Sequence, residues 1–193
     1  MLQATRFVVG PVGCFALGRQ PVQRHHHGKF APEGDFAVSM SGILLKAVAA
    51  KDAQRLRDSV LRANFTPGAS VYDGDEDHGT LHIGALFGDL FVGVATVSHS
   101  PFPGGSSQQA WRLRGMAILP AWQRKGLGSR LVEACLRHAN DHGATMIWCS
   151  ARSEAFSFYE SFGFRVLGPL RKREGYGDME FAFMTLSPTC SCL

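Results

Sequence analysis

The sequence has no apolar run long enough to cross a bilayer, and it lacks the common glycine-rich nucleotide motifs. It contains no G-x-x-x-x-G-K-[ST], and no G-x-G-x-x-G followed by an acidic residue about twenty positions later. A membrane partner, a P-loop nucleotidase and a dinucleotide-binding protein are therefore not expected. With 193 residues, 45% of them apolar, the chain is long enough for one domain with a sizeable core.

Cysteine is scarce, with five residues, an odd number. Cys135 and Cys149 lie in apolar segments, where a thiol usually packs as a small hydrophobic group, and Cys190 and Cys192 lie near the end of the chain. We expect neither a disulfide framework nor a signal peptide, and we therefore predict a reducing, cytoplasmic location.

Acidic residues are absent before Glu33, although Arg6, Arg19, Arg24 and Lys29 occur there. The formal net charge of +4 therefore resides in this first segment, and the remainder of the chain is balanced in charge. No basic face is predicted, and a nucleic-acid partner is not expected.

Residues 1–39 show neither the period of a strand nor that of a helix, and they are rich in glycine and proline. This composition predicts a disordered or extraneous N-terminal arm, one domain over residues 40–187, and a flexible tail over residues 188–193. Met40, which directly precedes the first predicted strand, is a candidate start, and a targeting segment is the other interpretation of the arm.

No metal site is expected. The adjacent histidines 25–27 lie in the arm, where such a tract is more typical of solvated chain. The alternating acids of residues 73–77 resemble the start of a calcium loop, but His78 and Gly84 occupy the positions that need glycine and glutamate. We predict a solvated or substrate-facing loop here.

A basic turn with two glycines spans residues 119–130 and reads Leu-Pro-Ala-Trp-Gln-Arg-Lys-Gly-Leu-Gly-Ser-Arg. Gly126 and Gly128 permit close approach of the backbone to a ligand, and the start of the following helix leaves N–H groups unpaired. Arg124, Lys125 and Arg130 add positive charge at the positive end of the helix dipole. The turn therefore predicts a pyrophosphate site; the alternative is a turn whose glycines only relieve crowding.

This turn lies inside a strand-helix-strand unit. Residues 111–119 alternate as a strand does, residues 127–139 carry apolar side chains at helical spacing, and residues 146–150 form a short apolar strand. A further helix, predicted within residues 154–164, ends in F-Y-x-x-x-G-F.

The motifs Q-R-K-G-L-G at residues 123–128 and F-Y-x-x-x-G-F at residues 158–164 resemble two signatures of the GNAT superfamily of N-acetyltransferases. The first corresponds to the family's acyl-CoA pyrophosphate loop, [R/Q]-x-x-G-x-[G/A]. The resemblance covers residues 43–186. It implies an α/β fold, in which a mixed central sheet of about six to seven strands is flanked by about four helices.

Outside this unit, a helix is expected from Lys51 to Ala63, and Gly88-Asp89 predicts a tight hairpin. Two strands near the end of the chain are expected to form the family's last antiparallel hairpin. The further predicted strands cover residues 43–49, 81–87, 90–98, 165–168 and 179–186.

The resemblance implies that an amine attacks acetyl-CoA directly, without a covalent acyl-enzyme. Tyr159 takes the position of the family's frequent general acid, and a packing role is its alternative. Many family members have an asparagine seven residues before this tyrosine, where Arg152 stands here. The residues expected to contact acetyl-CoA are Met116, Ala117, Ile118, Gln123, Arg124, Lys125, Gly126, Leu127, Gly128, Ser129, Ser150 and Arg152.

A general-base glutamate is missing from the central strand, which carries Arg112 and Arg114 instead. The two arginines share one face of the strand and predict an acceptor that carries a carboxylate. The alternative is that they pair with acidic side chains of neighbouring strands or emerge at an edge of the sheet. The proton of the acceptor amine is therefore expected to pass to water or to one of four side chains, His82, His99, Asp73 and Glu154.

We therefore expect an N-acetyltransferase that uses acetyl-CoA, without a metal, to acetylate a primary amine of a small molecule. A non-catalytic acyl-CoA-binding module and a protein or peptide N-acetyltransferase are the alternatives. A homodimer is compatible with the sequence.

Overall fold

The computed structural model describes residues 41–61, 68, 70–105 and 107–188. The predicted arm with histidines 25–27, the last two residues of the first predicted helix, and the tail cysteines lie outside these ranges. Short 3₁₀ turns at Pro120–Trp122 and Ser153–Ala155 precede the second and third α-helices. The elements are β1 (Ile43–Ala47), α1 (Ala50–Leu61), β2 (Leu81–Phe87), β3 (Leu90–His99), β4 (Ala110–Ile118), α2 (Leu127–Asp141), β5 (Met146–Arg152), α3 (Phe156–Glu160), β6 (Arg165–Lys172) and β7 (Glu180–Leu186).

The strands form one mixed sheet in the order β1-β2-β3-β4-β5-β7-β6. Neighbours from β1 to β4 are antiparallel, whereas β4 and β5 are parallel and are connected through α2. β7 lies between β5 and β6 and is antiparallel to both. The predicted mixed sheet is confirmed at seven strands, and the described residues contain three α-helices where about four were expected. None of these helices is long and apolar enough to span a membrane.

The helix α2 packs on one face of the sheet through its predicted apolar stripe. Gly93 of β3 lets the helix approach closely, since a Cβ there would lie 3.2 Å from Leu131 Cδ1 and 3.3 Å from Leu127 Cδ2. This contact holds the start of α2, and the turn before it, against the centre of the sheet. The fully buried residues of the stripe are Leu127, Leu131, Val132, Cys135 and Ala139.

The helix α1 covers the opposite face. Ala53 and Leu56 are buried there and pack with Val94 of β3 and Ala117 of β4. Arg57 interrupts this apolar stripe, and its side chain is also fully buried. Because a buried guanidinium needs a partner, this residue indicates a polar connection beneath the helix.

A β-bulge in β4 alters the alternation of its side chains. Gly115 and Met116 together face the single residue Ala95 of β3. Gly115 has a φ of +60°, and a Cβ at this position would lie only 2.6 Å from Arg57 Cδ. After the bulge, Ala117 rather than Met116 continues the face that α1 covers.

The parallel strands β4 and β5 separate after a short pairing. They pair only where Ala110–Arg112 lies beside Met146–Trp148. Beyond Arg112, the edge of β4 that faces β5 has no strand partner among the described residues. The sheet therefore opens into a cleft between the two strands.

Two boundaries differ from the sequence prediction. The segment before Phe164 is a 3₁₀ turn followed by the short helix α3, not one continuous helix. β6 extends to Lys172, beyond the predicted end at Gly168, because Arg171 and Lys172 resume pairing with β7 after an irregularity. The other predicted strands are confirmed to within about two residues at each end.

Candidate active site

The turn before α2 presents a row of unpaired backbone N–H groups. Arg124, with φ +57°, and Gly126, with φ +79°, both adopt left-handed backbone conformations. From Arg124 to Ser129, no backbone N–H has an acceptor among the described residues; that of Arg130 donates to Gly126 O at 3.3 Å. Because these donors lie at the positive end of a 15-residue helix, they are suited to bind phosphate oxygens.

The two glycines of this turn have different surroundings. A Cβ on Gly126 would meet no atom within 4 Å and would project into open space. A Cβ on Gly128 would lie 3.3 Å from Phe158 Cζ and 3.4 Å from Ile118 Cδ1. Gly126 therefore leaves space for a ligand, whereas Gly128 allows α2 to pack closely against α3 and β4.

The polar side chains of the turn have two roles. Gln123 Nε2 donates to the carbonyl of Ile118 at 2.9 Å, which fixes the turn to the end of β4. Arg124 is exposed, Lys125 and Arg130 are half-buried, and none of the three forms an ion pair with a described residue. Three cations therefore remain available to an anion at this turn.

The cleft between β4 and β5 has a volume of about 640 Å³. Its walls are formed by β4, by β5 with the following turn and α3, by the loop before β2, and by the connection between β6 and β7. A cleft of this size suits a small ligand, and its lining is strongly basic. The charged residues that line it are Arg112, Arg114, Arg152, Arg173 and Glu174.

The predicted contacts at the end of β4 lie beside this cleft. Met116 lines it, Ala117 is buried beneath α1, and Ile118 is half-buried near Gly128. β5 does not pair with this part of β4. The backbone of β4 can therefore form hydrogen bonds with an extended ligand, as it would with an additional strand.

The predicted contacts on β5 line the same cleft from the other side. Ser150 and Arg152 are half-buried and lie two positions apart, so they share one face of the strand. Neither side chain forms a hydrogen bond or ion pair with a described residue. The structure therefore brings the β4 and β5 contacts together on opposite walls.

Tyr159 lines the cleft from α3 and is 9% exposed. Its ring packs edge-on against Phe158 and Phe164, with centroid distances of 5.1 and 5.7 Å. Its hydroxyl forms no hydrogen bond with a described residue. Burial, together with the neighbouring thiols of Cys149 and Cys135, raises the pKa of Tyr159 above its ordinary value. The phenol therefore keeps its proton at neutral pH and can donate it to a group in the cleft.

Both cysteines in the described part of the chain are buried, as the sequence predicted. Burial raises the pKa of the Cys135 thiol, and it raises that of Cys149 to about 12 although Arg112 acts in the opposite direction. The thiol of Cys149, which lines the cleft, is therefore protonated at neutral pH.

A buried carboxylate holds Arg114. Asp75 Oδ1 accepts a hydrogen bond from Arg114 Nη2 at 3.1 Å, and Asp75 Oδ2 accepts one from Arg57 Nη2 at 2.7 Å. The backbone carbonyl of Asp73 accepts from Arg114 Nη1 at 2.7 Å. Asp75 is 9% exposed because it pairs with two guanidinium groups, so this residue of the predicted solvated or substrate-facing loop is not solvated.

His82 supports the same loop from β2. It is buried, with its Nε2 2.8 Å from the carbonyl oxygen of Asp75 and its Nδ1 2.8 Å from Thr96 Oγ1. Tyr72 covers the pair of arginines, with its ring centroid 4.6 Å from Arg57 Cζ and 5.4 Å from Arg114 Cζ. These contacts fix one wall of the cleft.

Arg112 differs from Arg114 in having no anionic partner among the described residues. Its guanidinium carbon lies 4.7 Å from the ring centroid of Trp148, and its Nε is buried without an acceptor. Burial, with the positive charges of Arg114 and Arg173, lowers the pKa of Arg112. The two arginines predicted to bind an acceptor therefore line one cleft, but Arg114 is already paired.

None of the four side chains considered for proton removal lines the cleft. His82 has a partner at both ring nitrogens. His99 lies at the far end of β3 and hydrogen-bonds a backbone carbonyl at 2.6 Å. Asp73 and Glu154 are exposed. Glu174, which the sequence analysis did not single out, lines the cleft instead.

The roles of Arg57 and Asp75 and the bulge at Gly115 were not predicted from the sequence. Two signals for them were present: an arginine within the apolar stripe of a helix and a glycine within a predicted strand. Tyr72 and Glu174 lie in irregular segments, where no periodic pattern marks a residue that faces a cleft.

The sequence matches a known protein family and a relative from that family. A sequence model described as the acetyltransferase (GNAT) family matches residues 51–164. The chain is 26% identical over 142 residues to the uncharacterized N-acetyltransferase YitI of Bacillus subtilis (strain 168), which corresponds to 74% of this chain and 95% of that protein.

Solved structures share the fold at low sequence identity. ElaA of Escherichia coli matches with a TM-score of 0.61 and 18% identity, over 74% of this chain and 98% of that one. The structure of yncA from Salmonella typhimurium with its cofactor acetyl-CoA matches with a TM-score of 0.60 and 18% identity, over 76% and 94% of the two chains.

Proposed function

This chain belongs to the GNAT family of acetyl-CoA-dependent N-acetyltransferases, and from that premise we propose that it acetylates a primary amine of a small molecule by direct attack within a ternary complex. The observation that carries the proposal is the row of unpaired N–H groups at residues 124–129 beside an open cleft that a tyrosine hydroxyl can reach. One feature suits the binding of a coenzyme phosphate, and the other suits the acceptor.

The turn before α2 has the donors that a pyrophosphate needs. Its unpaired N–H groups supply hydrogen bonds, and Arg124, Lys125 and Arg130 supply charge. Leu127 takes part through its N–H alone, because its side chain is in the core. The open space beside Gly126 fits a phosphate, where a larger residue would intrude.

The unpaired edge of β4 at residues 116–118 is assigned to the pantetheine arm, and Ser150 and Arg152 of β5 face it across the cleft. Acetyl-CoA supplies a thioester whose acetyl group is activated toward an amine. Tyr159 holds its proton at neutral pH and donates it from its hydroxyl to the departing thiolate.

The acceptor amine must lose a proton before or during attack. Glu174 is the carboxylate that lines the cleft in the described part of the chain, so we assign this proton to Glu174, directly or through water. An unchanged kcat/KM in Glu174→Gln would leave water alone as the acceptor of the proton.

The test is thiol release from acetyl-CoA by the purified full chain with amino acids, polyamines, aminoglycosides and peptides, together with mass analysis of the product. Amine-dependent release with an N-acetylated small molecule is the expected result. Tight CoA binding without release for any amine would instead identify a non-catalytic binding module. Release with peptides alone would identify a peptide or protein acetyltransferase.

A further inference from the structure

Three arginines that line the cleft, Arg112, Arg152 and Arg173, form no ion pair with a described residue, and of these three Arg112 is the one with a buried polar atom that lacks an acceptor. Arg112 forms no hydrogen bond or ion pair with a described residue, and its Nε is buried without an acceptor. Leaving a charged donor unpaired in a partly buried place costs free energy unless a ligand pairs with it. The arrangement therefore indicates an anionic ligand.

The charges around Arg112 strengthen this indication. Of the charged residues that line the cleft, four are arginines and one is Glu174. Asp75, the nearby buried carboxylate, already pairs with Arg57 and Arg114. The proposed phosphate site at residues 124–129 is not part of the cleft lining, so the phosphates of the coenzyme do not account for this charge.

We propose that Arg112 binds a carboxylate of the acceptor amine, with Arg173 as a second cation on the opposite wall. The proposal rests on the proposed function and specifies its substrate class as amines that also carry a carboxylate, of which amino acids are the simplest. Arg114 acts as a positioning residue, since its Nη1 donates to the backbone carbonyl of Asp73 and its Nη2 donates to Asp75.

The surroundings of Arg112 favour a planar anion. Its guanidinium carbon lies 4.7 Å from the ring centroid of Trp148, and its N–H groups have no acceptor among the described residues, so its planar fork is free to donate two hydrogen bonds to one anion. Trp148 is itself fixed, since its Nε1 donates to Ser100 O at 2.9 Å and its ring packs edge-on against Phe102 and Phe183. A carboxylate matches such a fork, whereas a neutral ester forms weaker hydrogen bonds with it.

Arg173 reaches the cleft from the connection between β6 and β7. Its guanidinium carbon lies 5.1 Å from the ring centroid of Phe181, and it has no ion pair with a described residue. Because it is exposed, it can adjust to acceptors of different length, whereas Arg112 stays fixed. We therefore expect Arg112 to select for the carboxylate and Arg173 to add a smaller contribution.

The experiment compares amino acids with their methyl esters and with the amines that lack the carboxylate, using thiol release by the full chain. We expect kcat/KM to be about 10- to 100-fold higher for the acids, the size of one charge-assisted contact. In Arg112→Met this preference should disappear, and Arg112→Lys should restore it only in part because lysine lacks the fork. Arg137→Met, which removes an exposed arginine of α2, is the matched control.

A binding measurement separates this proposal from the proposed function. Calorimetry with N-acetyl amino acids and their methyl esters, in the presence of CoA, needs no turnover. Selective binding of the acids that Arg112→Met abolishes, without turnover of any amine, would retain the anion site and overturn the proposed reaction. Turnover of amines with equal kcat/KM for acid and ester, or binding without preference for the acid, would overturn the anion site and leave the reaction intact.

Discussion

The two proposed ligand-binding regions of this protein are built from different groups. At the turn before α2, the donors are backbone N–H groups that a local conformation leaves unpaired. In the cleft, the donors are arginine side chains, which a distant carboxylate and an aromatic ring hold in place. The first region depends on a few consecutive residues, and the second depends on contacts between segments far apart in the chain.

The comparison explains why the regions respond differently to substitution. Backbone donors cannot be deleted by changing a side chain, so the turn is sensitive to the conformation and space that glycine provides. The arginine wall, formed by Arg112 and Arg114 of β4, is sensitive to the loss of the contacts that hold each side chain, since Asp75 pairs with Arg114 and the ring of Trp148 lies against Arg112.

The largest effect is expected from Asp75→Asn, which leaves Arg57 and Arg114 buried without their shared carboxylate. Removing one partner of a buried ion pair typically costs about 3–5 kcal/mol, and we expect a loss of this size in the free energy of unfolding. Urea denaturation measures it. Asp77→Asn, in the exposed part of the same loop, is the control and should change stability little. Equal stability of the two variants would contradict the role of Asp75.

Gly126→Val should lower CoA affinity at least about 100-fold, because it forces a β-branched residue to φ +79° and fills the open space beside the N–H groups. Calorimetry with CoA is the measurement. Gly143→Val is a matched control at the other end of α2, since Gly143 has φ +76° and also faces open space. It should cost stability without changing CoA affinity. A folded Gly126→Val protein with wild-type affinity would show that the phosphates bind elsewhere.

Tyr159→Phe removes one hydroxyl and little volume from the cleft. If Tyr159 is the general acid, kcat should fall about 10- to 1000-fold while CoA affinity stays nearly constant. Steady-state kinetics and calorimetry separate the two quantities. Tyr72→Phe, which removes a hydroxyl from the facing wall, should have a much smaller effect on kcat. Near wild-type turnover in Tyr159→Phe would show that Tyr159 has a packing role and is not the general acid.

The smallest effect concerns the pH profile. Because burial raises the pKa of Tyr159, its active, protonated form persists up to and beyond about pH 10, the ordinary value for a phenol. Activity that depends on this proton is lost only as pH rises through that raised pKa. We therefore expect kcat to rise with pH as the acceptor amine deprotonates, and then to stay level to about pH 10. A decline between pH 8 and about 9.5 that Tyr159→Phe abolishes would contradict this assignment.

The fold and the turn before α2 could be predicted because their signals are local. Gly126 and Gly128 mark the turn, and the apolar stripe of α2 marks the helix that follows it. From the sequence, Gly126 and Gly128 were both predicted to permit close approach of a ligand. In the structure, Gly126 is the one of the two that faces open space. That distinction depends on Phe158 and Ile118, which approach Gly128 only in the folded chain.

The arginine wall could be predicted only in part. The alternation of side chains along β4 placed Arg112 and Arg114 on one face of the strand. It could not show that one arginine is paired with a carboxylate and the other is not. They differ because Asp75, 39 residues away from Arg114, pairs with it, while Arg112 lies over the ring of Trp148. Asp75 in turn lies in an acidic run whose other members, Asp73, Glu76 and Asp77, are exposed. The sequence predicted a solvated or substrate-facing loop for the whole run and did not distinguish Asp75 from its neighbours.

The central claim is that the turn binds the coenzyme and the arginine wall binds the acceptor. Two-substrate steady-state kinetics on Gly126→Ala and Arg112→Met test it most directly. We expect Gly126→Ala to raise the KM for acetyl-CoA with little change in the KM for the acceptor, and Arg112→Met to raise the KM for the acceptor with little change in that for acetyl-CoA. A parallel rise of both KM values in either variant would contradict this division between backbone and side-chain sites.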